Sequence, residues 1–294
     1  MKMKTIITHS SRFHADDVFA VATLSLLLDG EIKVIRTRDE KLFETGDFVL
    51  DVGGVNDEAK NRFDHHQAGG AGKRANGMPY ASFGLVWKKF GAELAGSQAA
   101  ADFIDRKVVQ SIDAMDNGLD LATPTHPDVF PYNFPTIVSS FVPTWREGVA
   151  GLDAAFLEMV AIAKKILARE IVQAKDSLLA DQKIAEAYKN AEDKRLIILD
   201  KNYPWDFLIM KYPEPIFVVY PTPGETTWKF GAIRKSHESY ESRKLLPAAW
   251  AGKRNAELAA ASGVPDAVFC HNARFMAVAG SKEGAIALAK LALD

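Results

Sequence analysis

Three short apolar runs in the first 66 residues each stop on side chains that hold metals, and this repetition constrains the fold more than any other feature. Thr5-Ile6-Ile7-Thr8 is followed by His9 and then by His14-Ala15-Asp16-Asp17. Phe48-Val49-Leu50 delivers Asp51 and then breaks on Val52-Gly53-Gly54. The third stretch reads Phe63-Asp64-His65-His66-Gln67. Each reads as a short buried strand that ends in an acid or an imidazole. In open α/β sheets ligands gather at the carboxyl ends of strands, where such side chains meet. Four of the seven histidines, His9, His14, His65 and His66, fall in this stretch. Carboxylate and imidazole converging from several loops suit Mn²⁺, Zn²⁺ or Fe²⁺. The pattern predicts a dinuclear metal site for hydrolysis.

Around these runs the chain alternates strands and helices. A helix is expected from about Asp16 to Leu28, a second strand over Ile32–Arg36, and helices around 82–90 and 98–115. Residues 123–147 hold prolines at 124, 127, 131, 135 and 143 and read as an ordered loop over the site rather than a helix. From Leu152 to about Glu192 apolar residues recur at three- and four-residue spacing, predicting one long core helix or two. Strands follow over 195–199, 216–220, 228–233, 267–270 and 274–278, with helices over 255–261 and 282–293. The predicted class is α/β: a parallel-sheet N-terminal domain (1–150), a connecting helical region (151–193) and a smaller α/β C-terminal domain for substrate binding (194–294).

Composition bounds the function. The 294 residues carry a formal net charge of −2, which excludes a duplex binder working through a strong basic field. A nucleic-acid substrate is then a short or single-stranded end held locally. One cysteine, Cys270, excludes an internal disulfide framework and fits a reducing compartment. No run of 18 apolar residues suggests a membrane span, and Met1-Lys2-Met3-Lys4 runs into a strand rather than an apolar leader. The expected location is the cytoplasm, with no membrane partner and a homodimer left open.

The chemistry follows from the ligands. Two cations about 3.5–4 Å apart activate water and neutralise phosphate oxygens, and a bridging carboxylate holds them that close. Asp51, ending the most apolar strand, is the candidate bridge. Cys270 next to His271 does not make a nucleophile–base pair, because neighbouring strand residues face opposite ways. A zinc-protease His-Glu-x-x-His motif is absent.

Asp64-His65-His66 resembles the signature of the DHH phosphoesterase superfamily. The match sharpens with the run from Thr8 to Asp17, with Arg62-Phe63-Asp64-His65-His66-Gln67 and with Ile112-Asp113-Ala114-Met115-Asp116-Asn117-Gly118. These resemble the melanocyte proliferating gene family, labelled a metal-dependent protein hydrolase and assigned 3′→5′ RNA exonuclease activity in eukaryotes. Leu246-Pro247-Ala248-Ala249-Trp250-Ala251-Gly252, Ser262-Gly263-Val264-Pro265 and Phe269-Cys270-His271 fit as well. The resemblance implies His9, His14 and Asp51 at one metal, and Asp16, Asp51, His65 and an aspartate of the 113–116 segment at the other. Asp116 is favoured there over Asp113. It also implies that His66 faces the scissile phosphate, with Asp51 and His65 completing the reactive set, and that Asp64 orients a histidine. Asp17 reads as a helix N-terminal carboxylate placed against the macrodipole.

The chain departs from the superfamily in three places. His14 and Asp16 stand where many members have two aspartates, which shifts preference towards Zn²⁺ or Fe²⁺, with Mn²⁺ still the first expectation. Asp116-Asn117-Gly118 replaces Asp-Thr-Gly. A Gly-Gly-x-His loop is replaced by Phe269-Cys270-His271-Asn272-Ala273-Arg274-Phe275. His271, Arg274, Arg234 and Lys235 are the substrate-binding candidates of the second domain, with Trp228 and Phe230 as candidate stacking surfaces. The expected activity is a 3′→5′ exonuclease on short single-stranded RNA or DNA. The alternatives are a hydrolase of pyrophosphate, a cyclic dinucleotide or a nucleotide phosphate, and a non-catalytic, metal-stabilised nucleic-acid-binding protein.

Overall fold

The computed structural model describes residues 3–29, 32–205, 208, 211–236 and 239–294, so Met1 and Lys2 of the N-terminal run lie outside the described residues. The chain packs as two compact units, Met1–Lys175 and Asp176–Asp294.

In the first unit, five strands form one sheet in the order β2-β1-β3-β5-β4. They are β1 (Lys4–Thr8), β2 (Ile32–Arg36), β3 (Phe48–Leu50), β4 (Asn56–Asp57) and β5 (Arg62–Phe63). The pairs β1–β2, β1–β3 and β3–β5 are parallel, and only β4 runs antiparallel. Ile6, Ile7 and Leu50 are fully buried, as expected of parallel strands covered on both faces. Register does the rest. Ile7 pairs with Val49 and Leu50 with Phe63, so the chain leaves the sheet at His9, Asp51 and Asp64 side by side.

Helix α1 (Ala15–Leu27) buries every residue from Ala15 to Ser25 and is therefore a core helix rather than an amphipathic surface one. Helix α2 (Ser82–Ala95) packs against it and ends on Gly96, whose φ of 79° is the left-handed cap position that glycine adopts without strain. The single helix expected over 98–115 is two, α3 (Gln98–Ile104) and α4 (Gln110–Asp116), joined by a π-helical turn over Asp105–Val109. The proline-rich stretch needs a second correction. It contains helix α5 (Phe134–Ser140), because Pro135 sits in the first turn, where a missing N–H costs nothing, and Asn133 caps Thr136 N.

Helix α6 (Leu152–Asn190) is one unbroken run of 39 residues. The second unit holds a mixed sheet of order β6-β7-β8-β10-β9, built from β6 (Leu196–Ile198), β7 (Phe217–Pro221), β8 (Trp228–Ala232), β9 (Ala267–Cys270) and β10 (Met276–Ala279). Only β6 and β7 pair in parallel. Phe217, Val219, Phe230 and Ala277 pack with Leu288 and Ala289 of the last helix, α8 (Lys282–Leu293), while α7 (Asn255–Ser262) contributes Leu258. Val218 and Ile197 pack on the other face with Ile184, Leu208 and Ile233. No helix among the described residues is long and apolar enough to cross a membrane.

Candidate metal centre

Every loop that leaves the carboxyl edge of the parallel sheet contributes to one cavity of about 560 Å³, lined by His9, His14, Arg38, Asp51, His66 and Asp116 among others. His9 follows β1 and is buried. Its Nδ1 lies 2.9 Å from the Ser10 carbonyl, to which it donates, so Nε2 faces inward. There it meets Asp17 Oδ2 at 3.2 Å and Asp51 Oδ2 at 3.3 Å. Asp51 adopts φ 51°, a left-handed backbone that aspartate tolerates better than most residues and that turns the chain sharply after β3. Its other oxygen, Oδ1, stands 3.4 Å from His65 Nε2. The two oxygens of one carboxylate therefore face different imidazoles, Oδ2 that of His9 and Oδ1 those of His65 and, also at 3.4 Å, His66. His65 Nε2 in turn lies 3.0 Å from Asp116 Oδ2, at the end of α4.

The helix ends fix the remaining donors. Asp16 accepts from Ser82 N at 3.0 Å and Phe83 N at 2.7 Å, so the N-terminus of α2 orients it. Its carboxylate still shares a group with His65 and Asp116 whose donor atoms lie within 4.8 Å of one another. His14 caps α1 and forms the equivalent group with His9 and Asp51. Asp64 accepts from Gly54 N at 2.6 Å and His65 N at 2.7 Å, and its Oδ1 accepts a hydrogen bond from His66 Nδ1 at 2.7 Å. The His66 side chain itself is 62% exposed.

His9 Nε2, Asp17 Oδ2, Asp51 Oδ1 and His65 Nε2 are buried and make no aligned hydrogen bond. Buried polar atoms are rarely left so. Two donors bound to one cation at about 2.0–2.2 Å stand about 3.0–3.5 Å apart, and the spacings above fall in that range. All donors are nitrogen and oxygen, the set that suits Mn²⁺, Fe²⁺ or Zn²⁺. The residues fit a divalent metal.

The electrostatics agree. Burial opposes charge on His9, yet the carboxylates of Asp17 and Asp51 beside it push it up to about 10. Against the same burial, Asp116 and Asp51 push His65 up to about 11. Burial raises Asp51, but His65 and His9 outweigh it and hold the carboxyl below its usual range. Burial raises Asp16, and the neighbouring Asp116 and Asp51 add to it. A cation bound there would need the imidazole lone pairs and would displace these protons.

Asp113, one turn before Asp116, is engaged elsewhere. Its Oδ1 accepts from Gly84 N at 3.0 Å, and its Oδ2 lies 2.8 Å from Arg74 Nη2. Arg74 also binds Asp105 on the π turn at 2.7 Å and stacks over Tyr80. Burial pushes Asp113 up to about 7 despite Arg74. This network clamps the helix that carries Asp116 against the N-terminus of α2.

Arg38 and Arg74 escaped the sequence reading, and Asp17 was read only in part. Asp17 does sit in the first helical turn, where Oδ1 accepts from His14 N at 2.8 Å, but Oδ2 faces His9. Arg38 lies two residues past β2, and the strand-then-ligand rule applied to that strand would have found it. Arg74 has no local signal, because its partners lie 31 and 39 positions away.

The second unit treats its candidates differently. His271 Nδ1 accepts from Ala273 N at 3.0 Å and the ring packs on Phe275. Arg274 has φ 58° and reaches the Leu246 carbonyl at 3.3 Å, and Lys235 pairs with Glu241. Arg234 lines a separate cavity of about 570 Å³ with Trp205, Tyr220, Tyr240 and Phe275. Phe230 is fully buried against Phe217 and presents no stacking face, whereas Trp228 is half-buried beneath Lys282. Cys270 is buried, which pushes its thiol up to about 11.

Comparison with known proteins agrees along the whole chain. Residues 5–293 match the MYG1 exonuclease profile, described as "Uncharacterised protein family (UPF0160)". The MYG1 protein of Caenorhabditis elegans is 30% identical, the match covering 98% of this chain and 94% of the worm protein. A MYG1 protein of Saccharomyces cerevisiae is also 30% identical, over 99% of this chain and 96% of its own length. The human MYG1 exonuclease is 27% identical over 97% of this chain and 85% of its own length. With its metal-type site and its full-length matches, the chain belongs to the MYG1 family.

Proposed function

We propose that this chain is a metal-dependent phosphodiesterase of the DHH type that removes nucleotides from the 3′ end of short single-stranded RNA or DNA. The single observation that carries the reading is Asp51, whose two oxygens face His9 on one side and His65 on the other. That is what a carboxylate shared by two cations requires. Relatives from human and mouse are named exonucleases, which supports hydrolysis of nucleic acid. The net charge of −2 favours short ends over duplexes.

In this reading His9, His14 and Asp51 hold one cation, while Asp16, Asp51, His65 and Asp116 hold the other. Two divalent cations there supply charge neutralisation at the phosphate and lower the pKa of water. Mn²⁺ is the first choice for both. The remaining work belongs to side chains. Asp64 accepts a hydrogen bond from Nδ1–H of His66, which leaves Nε2 facing the departing oxygen; the imidazolium, charged by a proton from solvent, gives its Nε2 proton to that oxygen and returns to neutral imidazole. Gly54 N anchors Asp64 from behind, so the imidazole is held before substrate arrives. The clamp of Arg74 on Asp113 keeps α4, and with it Asp116, in register with α2.

The test is turnover of a short 5′-labelled RNA with Mn²⁺ by wild type, Asp51→Asn and His66→Ala. The expected result is a ladder lost in both variants, with bound metal lost mainly from Asp51→Asn. Phosphate release from pyrophosphate alone would move the assignment to small phosphate esters, and metal binding without either product would make the protein non-catalytic.

A further inference from the structure

Three arginines of the first unit, Arg36, Arg62 and Arg74, are spoken for. Arg36 lies 2.7 Å from Asp153 Oδ1, donates to the Ser11 carbonyl, and is sandwiched near the rings of Phe13 and Phe156. Arg62 donates to the carbonyls of Gly46, Lys60 and Phe43. Arg74 holds Asp105 and Asp113. Arg38 makes no hydrogen bond or ion pair among the described residues, yet it lines the same cavity as His9, His14, Asp51, His66 and Asp116. Among the described residues lining that cavity it is the one permanent cation.

Its backbone, by contrast, is fixed on both sides. β2 pairs in parallel with β1 up to Thr8 and Arg36, and Thr37 N continues the ladder to the Thr8 carbonyl at 2.8 Å. Asp39 N donates to Thr37 Oγ1 at 3.0 Å, and Asp39 caps the following turn through Lys41 N. The chain thus carries Arg38 to the strand end beside His9 and holds it there, with a guanidinium that has no partner among the described residues. A planar guanidinium pairs two N–H groups with two oxygens of one phosphate. The carboxylates lining the cavity already face other groups: Asp51 the His9 imidazole, Asp116 that of His65, and Asp64 the Gly54 N–H and His66.

We infer that Arg38 binds a phosphate of the substrate strand beside the metal centre and sets affinity for the phosphodiester, while taking no part in holding metal. The inference rests on the phosphodiesterase reading and names a residue that engages its substrate. Arg38→Lys keeps the charge and loses the paired geometry; Arg38→Ala loses both.

The experiment measures KM and kcat on a short 5′-labelled RNA over a series of salt concentrations, with Mn²⁺ affinity measured by calorimetry on the same proteins. Arg38→Ala is expected to raise KM by about ten- to a hundredfold, the worth of one charge-assisted pair, with Arg38→Lys between it and wild type. The slope of log affinity against log salt should fall by about 0.7, one phosphate contact on a single strand. Mn²⁺ affinity should stay at the wild-type value. Unchanged KM and salt slope in Arg38→Ala, with an active wild type, would overturn the inference and leave the nuclease reading standing. If wild type cleaves no RNA, that reading fails by itself, and inorganic phosphate binding to the Mn²⁺-loaded protein decides for Arg38. Phosphate affinity lost in Arg38→Ala would uphold the anion site, and equal affinity would overturn it.

Discussion

The two sheets of this protein carry similar residue types at their strand ends and do opposite things with them. At the parallel sheet, β1, β2, β3 and β5 all finish at one edge, and their following residues converge on a cavity with buried, unsatisfied donors. At the mostly antiparallel sheet, His271, Arg274 and Lys235 spend their polar atoms on an adjacent backbone N–H, a carbonyl and a neighbouring glutamate. A strand followed by a histidine or an arginine is therefore not yet a site. What separates the two is whether burial leaves the polar atoms without partners.

The largest effect that would sharpen this contrast is expected at Gly84. A Cβ there would stand 1.8 Å from Asp113 Oδ2 and 2.8 Å from Arg74 Nη2, inside a helix and against a buried ion pair. Gly84→Ala should destabilise the protein by about 3–5 kcal/mol, the cost of breaking a buried pair. Chemical denaturation of the metal-free protein measures it, and a loss under about 1 kcal/mol would mean the clamp yields without cost.

Next comes Asp64→Asn. Removing the carboxylate that accepts from His66 Nδ1 should lower kcat about ten- to a hundredfold with bound metal retained, as for other residues that orient an active imidazole. Loss of metal instead would make Asp64 a ligand.

A smaller effect is expected from pH. His9 and His65 are raised from 6.5 to about 10 and about 11 in the folded protein. A raised imidazole adds stability below its unfolded pKa and loses that contribution as pH climbs towards the folded one. The melting temperature of metal-free protein should accordingly fall from about pH 6.5 upward, and Mn²⁺ should raise it more at about pH 8.5 than at about pH 6.5. A metal effect that grows as pH falls would contradict the proton–metal exchange. The smallest change is Lys235→Ala, whose exposed pair with Glu241 is worth less than about 1 kcal/mol. A large loss there would erase the contrast between the sheets.

Much of this was legible in residue order, and for a physical reason. Parallel strands that are buried on both faces read as unbroken apolar runs, and the residue after each run must emerge at the shared edge, so His9, Asp51 and Asp64 announce themselves. Helix α5 did not, because Pro135 reads as a breaker unless its place in the first turn is known. The π turn at Asp105–Val109 was invisible in the sequence; its first residue pairs with Arg74, a contact 31 positions away that no local pattern announces. Asp17 was half legible: its capping role follows from its place in the helix, while its approach to His9 depends on how α1 docks on β1.

The most direct test of the central claim is anomalous diffraction from crystals of the wild-type protein loaded with Mn²⁺. The account predicts two peaks about 3.5–4 Å apart, both in contact with the carboxylate of Asp51, one beside His9 and the other beside His65. A single peak, or two peaks that do not share Asp51, would contradict it.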